Sequence, residues 1–115
     1  MSYRLQLPRL GPAPQADIVV TPEVSERRRL ALKAFADQLR RLAILFPNGL
    51  GSLETEWPDI WAEINVTEES VDRVALRYIA GSASKEAFDR AMRAHEQAWR
   101  RGAEALARAG SGGGA

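Results

Sequence analysis

From Thr21 onward the apolar side chains recur at three- and four-residue steps, a spacing that predicts an all-helical chain. The clearest stripe is Val24, Ala31, Leu32, Phe35, Leu39, Leu42 and Phe46, which reads as one long amphipathic helix over residues 22–46. Its start is well marked. Thr21 can accept a hydrogen bond from a free first-turn amide, Pro22 sits where a missing N–H does no harm, and Glu23 faces the positive end of the helix dipole. Val20 is placed to pack back on the first turn as a hydrophobic staple, and Pro47-Asn48-Gly49 ends the pattern with a breaker and turn residues. At about 1.5 Å per residue the rod is roughly 37 Å long. Arg28 falls on its apolar stripe, between Val24 and Leu32. An unpartnered charge there is costly to bury, so the side chain is expected to snorkel past the core or the first turns to project beyond it. A later helix start or a bend is the plainer alternative.

Three further patterns follow. Thr55 is expected to cap a helix over 56–65, with Pro58 tolerated in its first turn and Trp57, Ile60, Trp61 and Ile64 on one face. Tryptophans at that spacing can stack on bases, but alternation with isoleucine points to a core face. Thr67 is expected to cap a helix over 68–80, whose apolar face is Val71, Val74, Ala75 and Tyr78, with Gly81 just past its end. Ser82 or Ser84 opens the last helix, 85–108, with the seam Phe88, Met92, His95, Trp99, Gly102 and Leu106. That seam suits close antiparallel packing. On its outer face Glu86 and Arg90, Asp89 and Arg93, Glu96 and Arg100, and Glu104 and Arg108 stand four apart, the favourable order for ion pairs. The expected fold is a small bundle of about four helices.

Residues 1–20 carry a different pattern. Tyr3, Leu5 and Leu7 alternate with Arg4 and Gln6, the period of a strand, yet no second strand pattern occurs to pair with it. The expectation is an extended arm, free to lie along the helices or to add to a partner's sheet edge. Pro8 to Ala16 reads as a proline-rich linker, residues 21–109 as the helical domain and 110–115, GSGGGA, as a flexible tail.

Composition adds little until charge is placed along the chain. The net charge is +1, but residues 1–41 sum to +4, residues 42–72 hold seven acids and no base, and residues 73–115 sum to +4. The first long helix alone carries Arg27, Arg28, Arg29, Lys33, Arg40 and Arg41 against Glu23, Glu26 and Asp37. Fourteen of the sixteen basic residues are arginine, which suits bidentate contact with phosphate or carboxylate but also fits an alanine- and glycine-rich composition bias. The chain contains no cysteine, which excludes disulfides, thiolate zinc sites and thiol chemistry. No charged lead followed by an apolar run and no membrane-length stretch is present, so a cytoplasmic chain is expected.

Candidate chemistry is sparse. His95 is the sole histidine and lies in an apolar seam, which favours a hydrogen-bonded core residue over a base or ligand. Position 92, three before it, is methionine, so the Glu-x-x-His pair of a bundle metal site is missing. No phosphate loop, nucleophile elbow or HExxH motif occurs. The acids from Glu54 to Asp72 lack calcium-loop spacing and read as a solvated face. Residues 67–100 mimic a helix-turn-helix, but the second helix begins without unpaired donors for base contacts.

The sequence therefore predicts a non-enzymatic subunit of a larger assembly, with no cofactor, metal or small-molecule substrate. In the leading expectation the basic face (Arg27, Arg28, Arg29, Lys33, Arg40, Arg41) lies along a nucleic-acid backbone without reading sequence. In the alternative the chain is a protein-only adaptor. Its basic rod meets an acidic protein surface, the 54–72 region of another copy (Glu54, Glu56, Asp59, Glu63) or of a partner, and the arm clips onto a neighbour through Tyr3, Leu5 and Leu7.

Overall fold

The computed structural model describes residues 20–114. Four helices occur there: α1 (Pro22–Leu45), the short α2 (Leu53–Glu56), α3 (Pro58–Ala80) and α4 (Lys85–Gly114). No helix among them is long and apolar enough to cross a membrane.

Both expected long-helix starts are realised through side-chain caps. Thr21 Oγ1 accepts from the Val24 amide at 3.1 Å, and Ser84 Oγ from the Ala87 amide at 3.0 Å. Gly81 closes α3 with φ +95°, and the Ser82 amide reaches back to the Arg77 carbonyl at 2.8 Å. That left-handed closure is where glycine is needed, since a Cβ would clash with the following carbonyl. Val20 does not act as a staple, because it is 77% exposed.

The main departure from expectation is the union of the second and third predicted helices. Thr67 does not cap. It lies inside α3, where its hydroxyl faces the Glu63 carbonyl at 2.9 Å and the Ile64 carbonyl at 3.0 Å. A threonine that satisfies its hydroxyl on the preceding turn has no need to break the helix. The true break lies earlier, at Trp57, whose φ of −130° and ψ of 64° follow from the proline after it. Thr55, the expected cap, sits within α2 and donates to the Ser52 carbonyl. At the other end the backbone of α4 continues to Gly114, past the predicted end near 108, with no proline in between to stop it.

Contacts between helix ends fix the directions. Arg27, near the start of α1, meets the last turn of α3, while Phe46, just past the end of α1, packs on Trp99 of α4 with ring centres 5.4 Å apart. So α1 and α4 run one way and α3 the other, with α3 and α4 packed most extensively. The bundle is long and thin, 58 × 21 × 21 Å, with a radius of gyration of 16.0 Å. A compact domain of this size would have about 13 Å.

The core has two parts. Toward the α3–α4 turn, Val24, Ala31, Phe35, Val71, Ala75, Tyr78, Ile79, Phe88 and Met92 interlock, with the Tyr78 and Phe88 rings stacked at 5.2 Å. Toward the α1–α2 loop, Leu53, Ile64 and Ala98 are buried under Phe46, Trp57, Ile60, Trp61, Trp99 and Leu106. The tryptophans thus lie half-buried against the core, with Trp61 edge-on to Trp99. Gly102 permits this packing: a Cβ there would stand 3.0 Å from Leu53 Cδ2.

Between the two parts lie two buried polar side chains, Gln38 and His95. Gln38 Nε2 donates to the Met92 carbonyl at 2.9 Å. His95 Nε2 accepts from the Trp99 indole N–H at 3.2 Å, which leaves Nδ1 as the protonated nitrogen facing Thr67 Oγ1 at 2.8 Å. Both ring nitrogens are satisfied, and burial pushes the imidazole pKa down to about 4.

Candidate interaction surfaces

The basic face of α1 is mostly occupied. Arg27 turns inward rather than outward: its Nε donates to the Ile79 carbonyl at 3.0 Å, a cation placed on the C-terminal end of α3. Arg28, which the apolar stripe assigned to the core edge, is exposed and has no partner among the described residues. The helix is rotated so that Arg27 and Gln38 face inward, which also leaves Leu39 42% exposed. Arg29 pairs with Glu26 at 2.6 Å, Lys33 with Asp37 at 2.8 Å, and Arg40 with the same Asp37. The Arg29 and Lys33 contacts hold the Glu26 and Asp37 carboxyls below their ordinary pKa.

Those pairs lie within α1, on side chains 62–70% exposed on the basic side. Solvent-exposed pairs of this kind are worth little and are screened by salt. The contact of Arg41 is different. Its Nε and Nη2 grip both oxygens of Glu96 on α4, the shortest at 2.7 Å, while Arg100 approaches from the other side at 3.0 Å. Two guanidinium groups and the Gln38 amide bring the Glu96 pKa down to about 2, with Arg41 the largest cause. Sequence reasoning placed Arg41 on a free face and paired Glu96 with Arg100 alone; the cross-helix partner lies 55 positions away and leaves no local signal.

The other expected pairs of α4 do not form. Lys85 takes Asp89 at 2.9 Å, and Arg101 takes Glu63 of α3. Among the described residues Arg90, Arg93 and Arg108 then have no carboxylate partner, nor do Arg73 and Arg77. Of the acidic residues read as partner contacts, Glu63 is therefore engaged within the molecule. Glu54 and Glu56 on α2 and Asp59 in the first turn of α3 are exposed, without an ion-pair partner among the described residues. Tyr3, Leu5 and Leu7 lie outside the described residues.

Glu54, Glu56 and Asp59 sit at the end that holds the α1–α2 loop, together with Arg108 of α4, while Arg28, Arg73, Arg77 and Arg90 sit toward the end that holds the α3–α4 turn, together with Glu23 and Glu86. The acidic end also carries an apolar cleft of about 280 Å³ between that loop and the C-terminal part of α4. Leu45, Phe46, Pro47, Ala103, Leu106 and Ala107 line it, and Leu50 nearby in the loop is 40% exposed. A groove between α1 and α4 is lined instead by the ionic side chains Asp37, Arg41, Asp89, Arg93 and Glu96. Among the described residues no three His, Asp or Glu side chains converge in a way that could hold a metal ion. Comparison with known protein families, with curated proteins and with solved structures gives no match.

Proposed function

We propose that this chain is a non-enzymatic protein-interaction subunit that engages a basic partner surface through the end of the bundle bearing Glu54, Glu56 and Asp59. The observation that carries this reading is the trio of exposed carboxylates at the end of the bundle that also holds an apolar cleft, whereas most of the basic face of α1 is matched by carboxylates of its own molecule. Exposed carboxylates and open apolar area at one end of a bundle are together features of a surface that another protein covers. The decisive experiment is reversal of the three acids to lysine in the full chain, followed by sedimentation and partner capture at low and high salt. Association that weakens with salt and is lost on reversal supports the reading; association indifferent to the reversal refutes it.

A second reading has its own support. Arg28 has no partner among the described residues, and there Arg29, Lys33 and Arg40 are held by exposed pairs within α1 that a phosphate oxygen can displace. In this reading the outer side of α1 lies along a nucleic-acid backbone. Neutralising about four phosphates gives a log–log salt slope of about −3 to −4. A slope near zero, or binding unchanged by reversal at Arg29, Lys33 and Arg40, removes it.

A further inference from the structure

We infer that residues 47–56, the α1–α2 loop together with α2, form a strap that lifts off the bundle as one unit while α1, α3 and α4 stay folded. The opening needs no partner and stands apart from the interaction reading above.

The strap is tied down by one side chain. Leu53 is fully buried, and it is the one buried residue of α2. Apart from half-buried Ser52, every other residue from 47 to 56 is exposed. Leu53 sits directly on Gly102 of α4, where a Cβ would stand 3.0 Å from its Cδ2, and packs with Ile60 of α3. Its release uncovers that seat and little else.

The polar contacts of the strap close on themselves. The Leu53 amide donates to the Leu50 carbonyl at 3.1 Å, the Glu56 amide to the Ser52 carbonyl at 2.8 Å, and the Trp57 amide to the Leu53 carbonyl at 3.0 Å. The Thr55 hydroxyl also donates to Ser52, and the Gly49 amide turns back to the Phe46 carbonyl at 3.0 Å. Among the described residues no hydrogen bond or ion pair ties the strap to α1, α3 or α4. Opening therefore breaks none of these bonds, and α2 moves with its own turn intact.

Both ends of the strap can turn. Gly49 and Gly51 hold φ of +81° and +55°, and nothing stands within 4 Å of the place a Gly49 Cβ would take. Glycines cross between backbone regions without a side-chain penalty. At the other end Trp57, with φ −130° and ψ 64°, already breaks the helical path before Pro58. Clearance exists too, since the cleft of about 280 Å³ separates Pro47, Asn48 and Gly49 from Ala103 and Ala107 of α4. A segment with few buried contacts and no hydrogen bonds to its surroundings opens at lower free energy than the whole fold. Glu54 and Glu56 ride on the strap while Asp59 stays on α3, so opening takes the carboxylate trio apart. That consequence for a partner, unlike the opening itself, rests on the interaction reading.

Amide hydrogen exchange of the full chain, followed residue by residue by nuclear magnetic resonance, tests this. In the unaltered chain the amides of Leu53, Glu56 and Trp57 should share one protection factor, at least about tenfold below those of Ala75 and Ile79 in the turn-end core, the equivalent of 1.4 kcal/mol. Leu53→Ala should speed exchange in the strap at least about tenfold more. Val71→Ala, in the turn-end core, should speed exchange at Ala75 and Ile79 by a similar factor and leave the strap unchanged. Strap amides as protected as the turn-end core, or strap exchange that rises with Val71→Ala, overturn the inference, because the strap then opens only with the whole bundle. Unequal protection of the three strap amides overturns it as well, since the segment then frays residue by residue, and so does a strap indifferent to Leu53→Ala. The comparison within the unaltered chain decides the matter even if a variant fails to fold. None of these outcomes touches the interaction reading, which reversal of Glu54, Glu56 and Asp59 tests separately.

Discussion

Acidification should strip stability from this bundle in a window set by one side chain. His95 is buried to 3% exposure with Nε2 accepting from Trp99 and Nδ1 facing Thr67, so a second ring proton at Nε2 would point into an indole N–H. Its pKa falls from 6.5 to about 4 on folding, caused by burial. Because the folded-state value is the lower one, the unfolded chain takes up the proton first. The stability associated with the neutral ring is therefore complete above pH 6.5 and declines as pH falls, until the folded form is protonated too near pH 4. At about 1.4 kcal/mol per unit the total loss is about 3 kcal/mol, a large share of the 5–15 kcal/mol that is usual for a domain. Glu96, with its pKa lowered to about 2, adds a similar dependence only at lower pH, below the ordinary carboxylate value of 4.5. The assay is urea denaturation followed by tryptophan fluorescence at pH 7.5, 6.5, 5.5 and 4.5, on the unaltered chain and on His95→Leu. The unaltered chain should lose stability steeply from pH 6.5 to 4.5, while the variant should be nearly flat there, whatever its stability at pH 7.5. Parallel curves for the two proteins would show that the imidazole is not the group that titrates.

Two glycines give sharper structural tests. Gly81→Ala places a Cβ on a backbone with φ +95° and 3.0 Å from Arg27 Nη2, so it should lower stability by about 1–2 kcal/mol in a thermal or urea melt, through the left-handed strain and displacement of the Arg27 contact with Ile79. Gly102→Leu should lower it by about 1–3 kcal/mol despite the better helix propensity of leucine, because Leu53 is fully buried and cannot move aside. A melt unchanged or raised by Gly102→Leu would mean that α2 is not packed on α4 as described.

Several residues that start and stop helices were legible in the chain, since each acts on its own neighbours: Thr21 as a cap, Ser84 as one of two cap candidates, Gly81 as the closing turn; the start at Pro58 was not, because Thr55 had the form of the cap. The apolar stripes likewise told which elements share a core, and His95 was read correctly as a satisfied core residue. Thr67 shows the limit of that logic. A threonine before two glutamates has the form of a cap, yet with His95 of α4 against it and its hydroxyl satisfied by the preceding turn, the helix runs through. The candidate surfaces were legible only in part. The exposed carboxylates Glu54, Glu56 and Asp59 were visible as a block of charge, but the cleft beside them is made by residues of α1, its loop and α4 that meet only in the folded chain.

What the sequence determined by itself is local: a helical period, its boundaries and the sign of charge along each segment, because these depend on residues within about one turn of each other. What the tertiary structure decided is the rotation of each helix about its axis. A rotation of α1 about its axis brings Arg27 rather than Arg28 to the core edge and admits Gln38 in place of Leu39, at the same hydrophobic pattern. It also delivers Arg41 to Glu96 and Arg101 to Glu63, so that the charge left over for a partner depends on contacts 55 and 38 residues apart.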